Sequence, residues 1–201
     1  MAYKVYGDYR SGNCYKIKLM LHLLGRDYSW VPIDILRGES REEFFLKKNP
    51  NGKIPVLELE DGTCLWESNA ILNFLAEGSE FLPSDPRLRT QVLQWQFFEQ
   101  YSHEPFIAVA RFIKVYLGLP EDRLDEYAAK QLDGYHALSV MEQQLLRTPY
   151  LVGDHYSIAD VALYAYTHVA EEGGFSLEDY PAICAWLRRV ASHPRHVGMF
   201  D

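Results

Sequence analysis

Asn49 to Leu72, NPNGKIPVLELEDGTCLWESNAIL, decides how this 201-residue chain is read, because a turn, a hairpin and a helix start follow one another in it without spare residues. Pro55 has no N–H to donate, so Ile54-Pro55 belongs at the opening of a strand, where a cis peptide bond can turn backbone groups outward. Val56 to Glu60 alternates, with Leu57 and Leu59 facing one way and Val56, Glu58 and Glu60 the other. Asp61-Gly62 supplies the positive φ angles of a tight hairpin, and Thr63 to Trp66 returns as the second strand. A helix follows, with Ser68 as its expected N-cap and Ile71, Leu72 and Leu75 at helical spacing.

At the helix entry, free backbone N–H groups, the Ser68 hydroxyl and the Glu67 carboxylate converge beside the Ile54-Pro55 edge. The N–H groups and hydroxyl favour a carboxylate, and Glu67 favours an ammonium. The unpaired edge at Ile54 suits an extended peptide backbone. A small zwitterion with a peptide bond meets all three demands, although capping residues at a helix start are commonplace.

The string NPNGKIPVLELEDG followed by ESNAIL resembles the glutathione-binding half of the cytosolic glutathione S-transferases. A second stretch far from it, Ser157-Ile-Ala-Asp160, resembles the buried capping motif of that family's helical domain, and SLEDYPAICAWLRRVASHP resembles its closing helix. The resemblance implies an α/β thioredoxin-like N-terminal domain followed by an all-α C-terminal domain, a homodimer, and glutathione as co-substrate. By position it puts the cysteinyl backbone of glutathione on Ile54 and Pro55 and its γ-glutamyl end on Glu67 and Ser68. Lys53 and Arg41 are placed to reach the glycine carboxylate by their charge.

Composition is that of an ordinary globular chain, 48% hydrophobic and 24% charged, which argues against disorder and against a membrane protein. Lys4, Asp8, Arg10, Lys16 and Lys18 interrupt the start of the chain, so no signal segment is read there and a cytoplasmic location is expected. The net charge of −8 counts against nucleic acid, which needs a basic face. The excess acid lies beyond residue 77, so a net-anionic ligand would find the first part of the chain less repulsive. Three widely spaced cysteines, Cys14, Cys64 and Cys184, suit neither a disulfide framework nor a zinc site. Seven histidines show no metal-ligand spacing, so no metal is expected.

In chain order, a strand is expected over Tyr3 to Tyr6, a helix from Asn13 or Cys14 to Leu24 stopped by Gly25, and a strand over Tyr28 to Ile35. Strand, helix and strand in this order imply a parallel crossover. Glu39 to Lys48 reads as a short helix or irregular turn. A domain over 1–77, a linker over 78–86 and a helical domain over 87–201 follow from the loss of periodicity in GSEFLPSDPRLR. Asp85-Pro86 starts a long helix running to about Tyr116, with Leu93, Phe97, Phe98 and Tyr101 among its expected core residues and a kink at Pro105. Glu121 to Arg147 carries another core stripe, including Leu124, Leu132, Leu138, Met141 and Leu145. Ser157 and Asp160 stand as N-cap and N3 of a capping box, with Tyr156 and Val161 at staple positions.

A glutathione transferase must hold a thiol as thiolate, which calls for a donor near a helix N-terminus. Ser11, in the loop before the first helix, resembles the serine of the theta, zeta and phi classes. Asn13 resembles the asparagine of the Thr-x-Asn pattern in the nu class. Cys14 is a third candidate, because a thiol at a helix start has its pKa lowered. Tyr6, near the end of the first strand, is a fourth. Tyr101, Phe106, Phe112 and Tyr116 are candidates to wall an electrophile pocket. The expected activity is transfer of glutathione thiolate to a small electrophile. The alternatives are a glutathione-dependent disulfide reductase or isomerase, and a non-catalytic binding protein of the same shape.

Overall fold

The structure, a computed structural model, describes residues 3–201. The chain divides into two compact units, Met1–Ser79 with Pro194–Asp201, and Glu80–His193. The first holds a four-stranded sheet in the order β2-β1-β3-β4, from β1 (Tyr3–Gly7), β2 (Tyr28–Pro32), β3 (Val56–Glu58) and β4 (Cys64–Trp66). β1 and β2 run parallel, while β3 pairs antiparallel with both β1 and β4. The helices are α1 (Gly12–Leu23), α2 (Glu43–Leu46) and α3 (Ser68–Ala76). This is the βαββ-containing order expected for a thioredoxin-like domain.

Both faces of the sheet are covered. Tyr6, Ile33, Val56 and Phe45 of α2 form one core cluster, and their strand neighbours Val5 and Leu57 are fully buried on the other side. The expected second strand stops at Pro32, which has no N–H to continue the ladder, though the Ile33 N–H still donates to the Gly7 carbonyl at 3.0 Å. Gly7 is required by close approach: a Cβ there would stand 2.6 Å from Cys14 Sγ, so the missing side chain lets the start of α1 settle against the end of β1. Lys18, on α1, donates to the carbonyls of Gly198 (3.1 Å), Met199 (3.2 Å) and Asp201 (2.6 Å), tying residues 194–201 back onto this unit.

The second unit is helical: α4 (Pro86–Phe98), α5 (Glu104–Arg111), α6 (Leu124–Leu145), α7 (Ile158–Thr167) and α8 (Pro181–Ala191). Asp85 caps α4 as expected, accepting from the Arg87 and Leu88 N–H groups at 2.8 and 3.0 Å. The long helix expected to run to about Tyr116 is present as helical turns without a break from Pro86 to Tyr116, in which wide π-type turns over Glu99–His103 and Phe112–Tyr116 flank α5.

Two expected core stripes are corrected. Leu93, Phe97 and Tyr101 form an exposed row at 42%, 63% and 78% exposure, and α4 with its following turn buries Val92, Gln96, Glu99 and His103 instead. Hydrophobicity alone misleads here because the buried row is largely polar. One of its members, His103, meets the Thr167 hydroxyl at 2.9 Å. On α6, Leu124 and Leu132 are exposed, while Ala137, Leu138, Met141 and Leu145 are buried.

Candidate active site

The β1–α1 loop is shaped by Asp8, whose carboxylate accepts the Arg10 N–H at 2.9 Å and whose carbonyl accepts the Ser11 N–H at 3.0 Å. Ser11 then takes extended backbone angles and caps α1, its hydroxyl accepting the Cys14 N–H at 3.4 Å. Asn13 lies one residue inside the helix. Ser11 and Asn13 therefore both stand at the positive end of α1, where the peptide dipoles favour a developing anion.

Across from α1, the Ile54-Pro55 peptide is cis, and Asn49 holds the preceding turn by donating from Nδ2 to the Lys53 carbonyl at 2.7 Å. Lys53 itself is exposed, and Arg41 reaches over from the helical turn Glu39–Arg41 to donate to the Asn51 carbonyl at 3.2 Å, two residues before Lys53. β3, β4 and a tight turn at Gly62 (φ 83°) then lead to Glu67.

The entry to α3 differs from expectation. Glu67, not Ser68, occupies the cap position, with φ 67° and ψ 109° and no capping bond from its side chain. Such a conformation is uncommon outside glycine and recurs where a site is held in a set shape. It presents the Glu67 carboxylate to solvent, without an ion-pair partner among the described residues. Ser68 becomes the first residue of the helix and is 5% exposed. Its hydroxyl donates to Asn13 Oδ1 at 3.1 Å and accepts from the Lys16 ammonium at 3.2 Å. The structure thus joins two segments 55 residues apart, Ser11 to Asn13 and Glu67-Ser68, by one direct hydrogen bond.

The other two thiolate candidates are differently placed. Cys14 is fully buried, and burial pushes its thiol up to about 12 against the opposing pull of the Ser11 hydroxyl. The lowering expected of a helix-start thiol is overturned because desolvation of the thiolate outweighs the helix end. Tyr6 points to the α2 face of the sheet, where its hydroxyl donates to Glu58 at 2.9 Å and burial raises its pKa. Of the aromatic candidates, Phe112 and Tyr116 pack together at 5.1 Å between ring centroids, whereas Tyr101 belongs to the exposed row of α4.

Sequence reasoning missed Lys16. A lysine between Tyr15 and Ile17 reads as a solvated interruption of an apolar helix, yet its side chain is fully buried beneath Ser68. The available signal was its spacing, three residues after Asn13 and so on the same helix face.

Comparison with known proteins agrees with this geometry. The family model for the glutathione S-transferase N-terminal domain matches residues 1–77, and that for the C-terminal domain matches residues 104–194. The chain is 28% identical to maleylacetoacetate isomerase of Pseudomonas aeruginosa, over 95% of this chain and 92% of that one. It is 31% identical to the disulfide-bond oxidoreductase YfcG of Escherichia coli, over 90% and 87%. A crystal structure of a glutathione S-transferase from Pseudomonas fluorescens shares 76% identity with a TM-score of 0.98, covering 99% of each chain. From its two matched domains and the fold they share with that structure, the chain belongs to the glutathione S-transferase family.

Proposed function

We propose that the protein binds glutathione and transfers its thiolate to a small electrophile. The hydrogen bond between Ser68 and Asn13 carries this reading, because it places the zwitterion corner next to the α1 N-terminus where a thiolate is best held. In this reading residues 1–77 bind glutathione, 78–86 link, and 87–201 complete the enzyme. Glu67 meets the γ-glutamyl ammonium, and the first N–H groups of α3, that of Ser68 among them, meet its carboxylate. The backbone at Ile54-Pro55 pairs with the cysteinyl residue, and Lys53 attracts the glycine carboxylate. Ser11 and Asn13 then donate to sulfur. On a halo-aromatic substrate the sulfur lone pair forms a C–S bond, the ring carbon releases halide, and the thiol proton has already left to solvent.

A second reading is disulfide reduction, favoured by the likeness to the disulfide-bond oxidoreductase. The buried Cys14 is a poor nucleophile, so in that reaction glutathione supplies the attacking thiolate from the same corner. Calorimetric titration with glutathione, followed by turnover on a halo-aromatic, a peroxide, a mixed disulfide and maleylacetoacetate, tests both. Absence of glutathione binding overturns both readings.

The family context and the exposed row of Leu93, Phe97 and Tyr101 support a homodimer, since such a row is more apolar than a solvated helix face needs to be. Phe97→Glu is expected to shift the mass in light scattering toward a monomer. No helix among the described residues is long and apolar enough to cross a membrane, which accords with the cytoplasmic location proposed.

A further inference from the structure

The buried lysine behind the site has a consequence for the amide at its front. Lys16 is fully buried, and its Nζ stands 3.2 Å from Ser68 Oγ. An ammonium only donates, so at this contact the serine oxygen accepts. The single hydroxyl proton is then directed to its second neighbour, Asn13 Oδ1, at 3.1 Å. If the Asn13 amide were turned over, Nδ2 and Lys16 would both donate to Ser68 Oγ. The hydroxyl proton would then have no acceptor among the described residues, at a position only 5% exposed. The arrangement therefore holds the carbonyl end of Asn13 toward α3 and leaves the NH₂ end to face elsewhere at the start of α1.

We infer that Lys16 is a positioning residue for the thiolate donor: through Ser68 it fixes which end of the Asn13 amide is presented to the glutathione sulfur. This rests on the reading of the corner as a glutathione site, and deepens it by assigning the donor's orientation to a residue that does not touch the ligand. A lysine without this role would affect folding alone. Lys16 in this role affects the ionisation of bound thiol, because a carbonyl oxygen facing sulfur opposes the thiolate that an N–H stabilises.

The test is the thiolate absorbance of bound glutathione titrated against pH in the full-length protein. Lys16→Met, which keeps the chain length and removes the charge, is expected to raise the midpoint by roughly 0.5 to 1 pH unit. It should lower kcat on a halo-aromatic roughly tenfold, below the loss from deleting a transition-state donor outright, with KM for glutathione little changed. Lys16→Arg, which retains the cation and its donors, should recover most of that loss. In an Asn13→Ala background Lys16→Met should move the midpoint no further, which a structural role would not produce. An unmoved midpoint in Lys16→Met, or shifts that simply add in the double variant, overturns the inference. Should Lys16→Met fail to fold, Ser68→Ala cuts the same chain from its other end and must give the same midpoint shift and the same lack of additivity with Asn13→Ala. Parent protein that does not bind glutathione in calorimetry overturns the site reading itself, and the inference with it.

Discussion

Ser68 is the first residue of α3 and Ser157 is the cap of α7, and the two helices treat their first turn in opposite ways. At α7 every group is closed off. The Ser157 hydroxyl accepts the Ala159 N–H at 3.3 Å, and the fully buried Asp160 carboxylate accepts from the Ser157 N–H (2.9 Å), the Ser157 hydroxyl (3.1 Å), the Leu151 N–H (3.0 Å) and Trp186 Nε1 (2.9 Å). Burial pushes that carboxyl up, and these donors pull against it. At α3 the preceding residue makes no cap, its carboxylate stands in solvent, and the serine hydroxyl is turned sideways to Asn13 and Lys16. A helix start that satisfies its own donors stabilises the fold, while one that the preceding side chain does not cap suits the anion-binding role proposed for α3.

The largest effect should come from the closed end. Asp160→Ala strips four donors of their acceptor in a site without water access, and an expected loss of about 3 to 5 kcal/mol would be read as a drop in the denaturant midpoint. A drop within about 0.5 kcal/mol, the size of an ordinary surface substitution, would break the contrast.

At the open end the loss should fall on binding. Glu67→Ala combined with Ser68→Ala is expected to weaken glutathione by roughly 2 to 4 kcal/mol in calorimetry, as charge-assisted hydrogen bonds do, with a much smaller effect on the unfolding midpoint. Equal affinity of the double variant and the parent would show that this corner is merely a poorly capped helix.

A smaller effect separates the donors at sulfur. Whichever of Ser11 and Asn13 makes the main hydrogen bond, its alanine variant should raise the thiol midpoint of bound glutathione by about one pH unit, equivalent to about 1.4 kcal/mol. The Lys16 link favours Asn13, so Asn13→Ala should shift it more than Ser11→Ala. The reverse ranking assigns the principal role to the serine.

The mildest test uses a carboxylate between the two extremes. The Lys48 ammonium holds Glu58 down to about 2, helped by the Tyr6 hydroxyl and by Lys4 and opposed by burial. A depressed carboxyl stabilises the fold above its unfolded value, near 4.5, and that stabilisation is lost as the pH falls toward 2. Glu58→Gln should accordingly be less stable than the parent at pH 6, with the gap closing between about pH 4.5 and 2. A gap that stays constant through that window would mean that the ion pair does not govern this carboxyl.

Much of both helix starts was legible in the residues themselves. Ser157 with Asp160 three positions on is a local pattern, and the capping box it predicts is present. Gly62 and the turn before β4 and Asp85 as cap of α4 were likewise readable, because turn and cap chemistry depends on neighbours within a few positions. The entry to α3 was misread by one residue. A serine before an apolar run looks like a cap, but Glu67, which directly follows the last paired residue of β4, takes that position with a positive φ.

The sequence by itself determined which segments become strand and helix in the first unit, since periodicity, turn residues and motif spacing are local. Only the tertiary structure decided which face of each helix is inside and which groups meet. It exposed Leu93, Phe97 and Tyr101 while burying Gln96, Glu99 and His103, and it took Cys14 out of water, which pushes its thiol pKa up. It also brought Lys16 beneath Ser68 and Ser68 onto Asn13. The last two contacts join residues more than 50 positions apart along the chain, and hydrogen bonding of this kind follows from such partners rather than from neighbours in sequence.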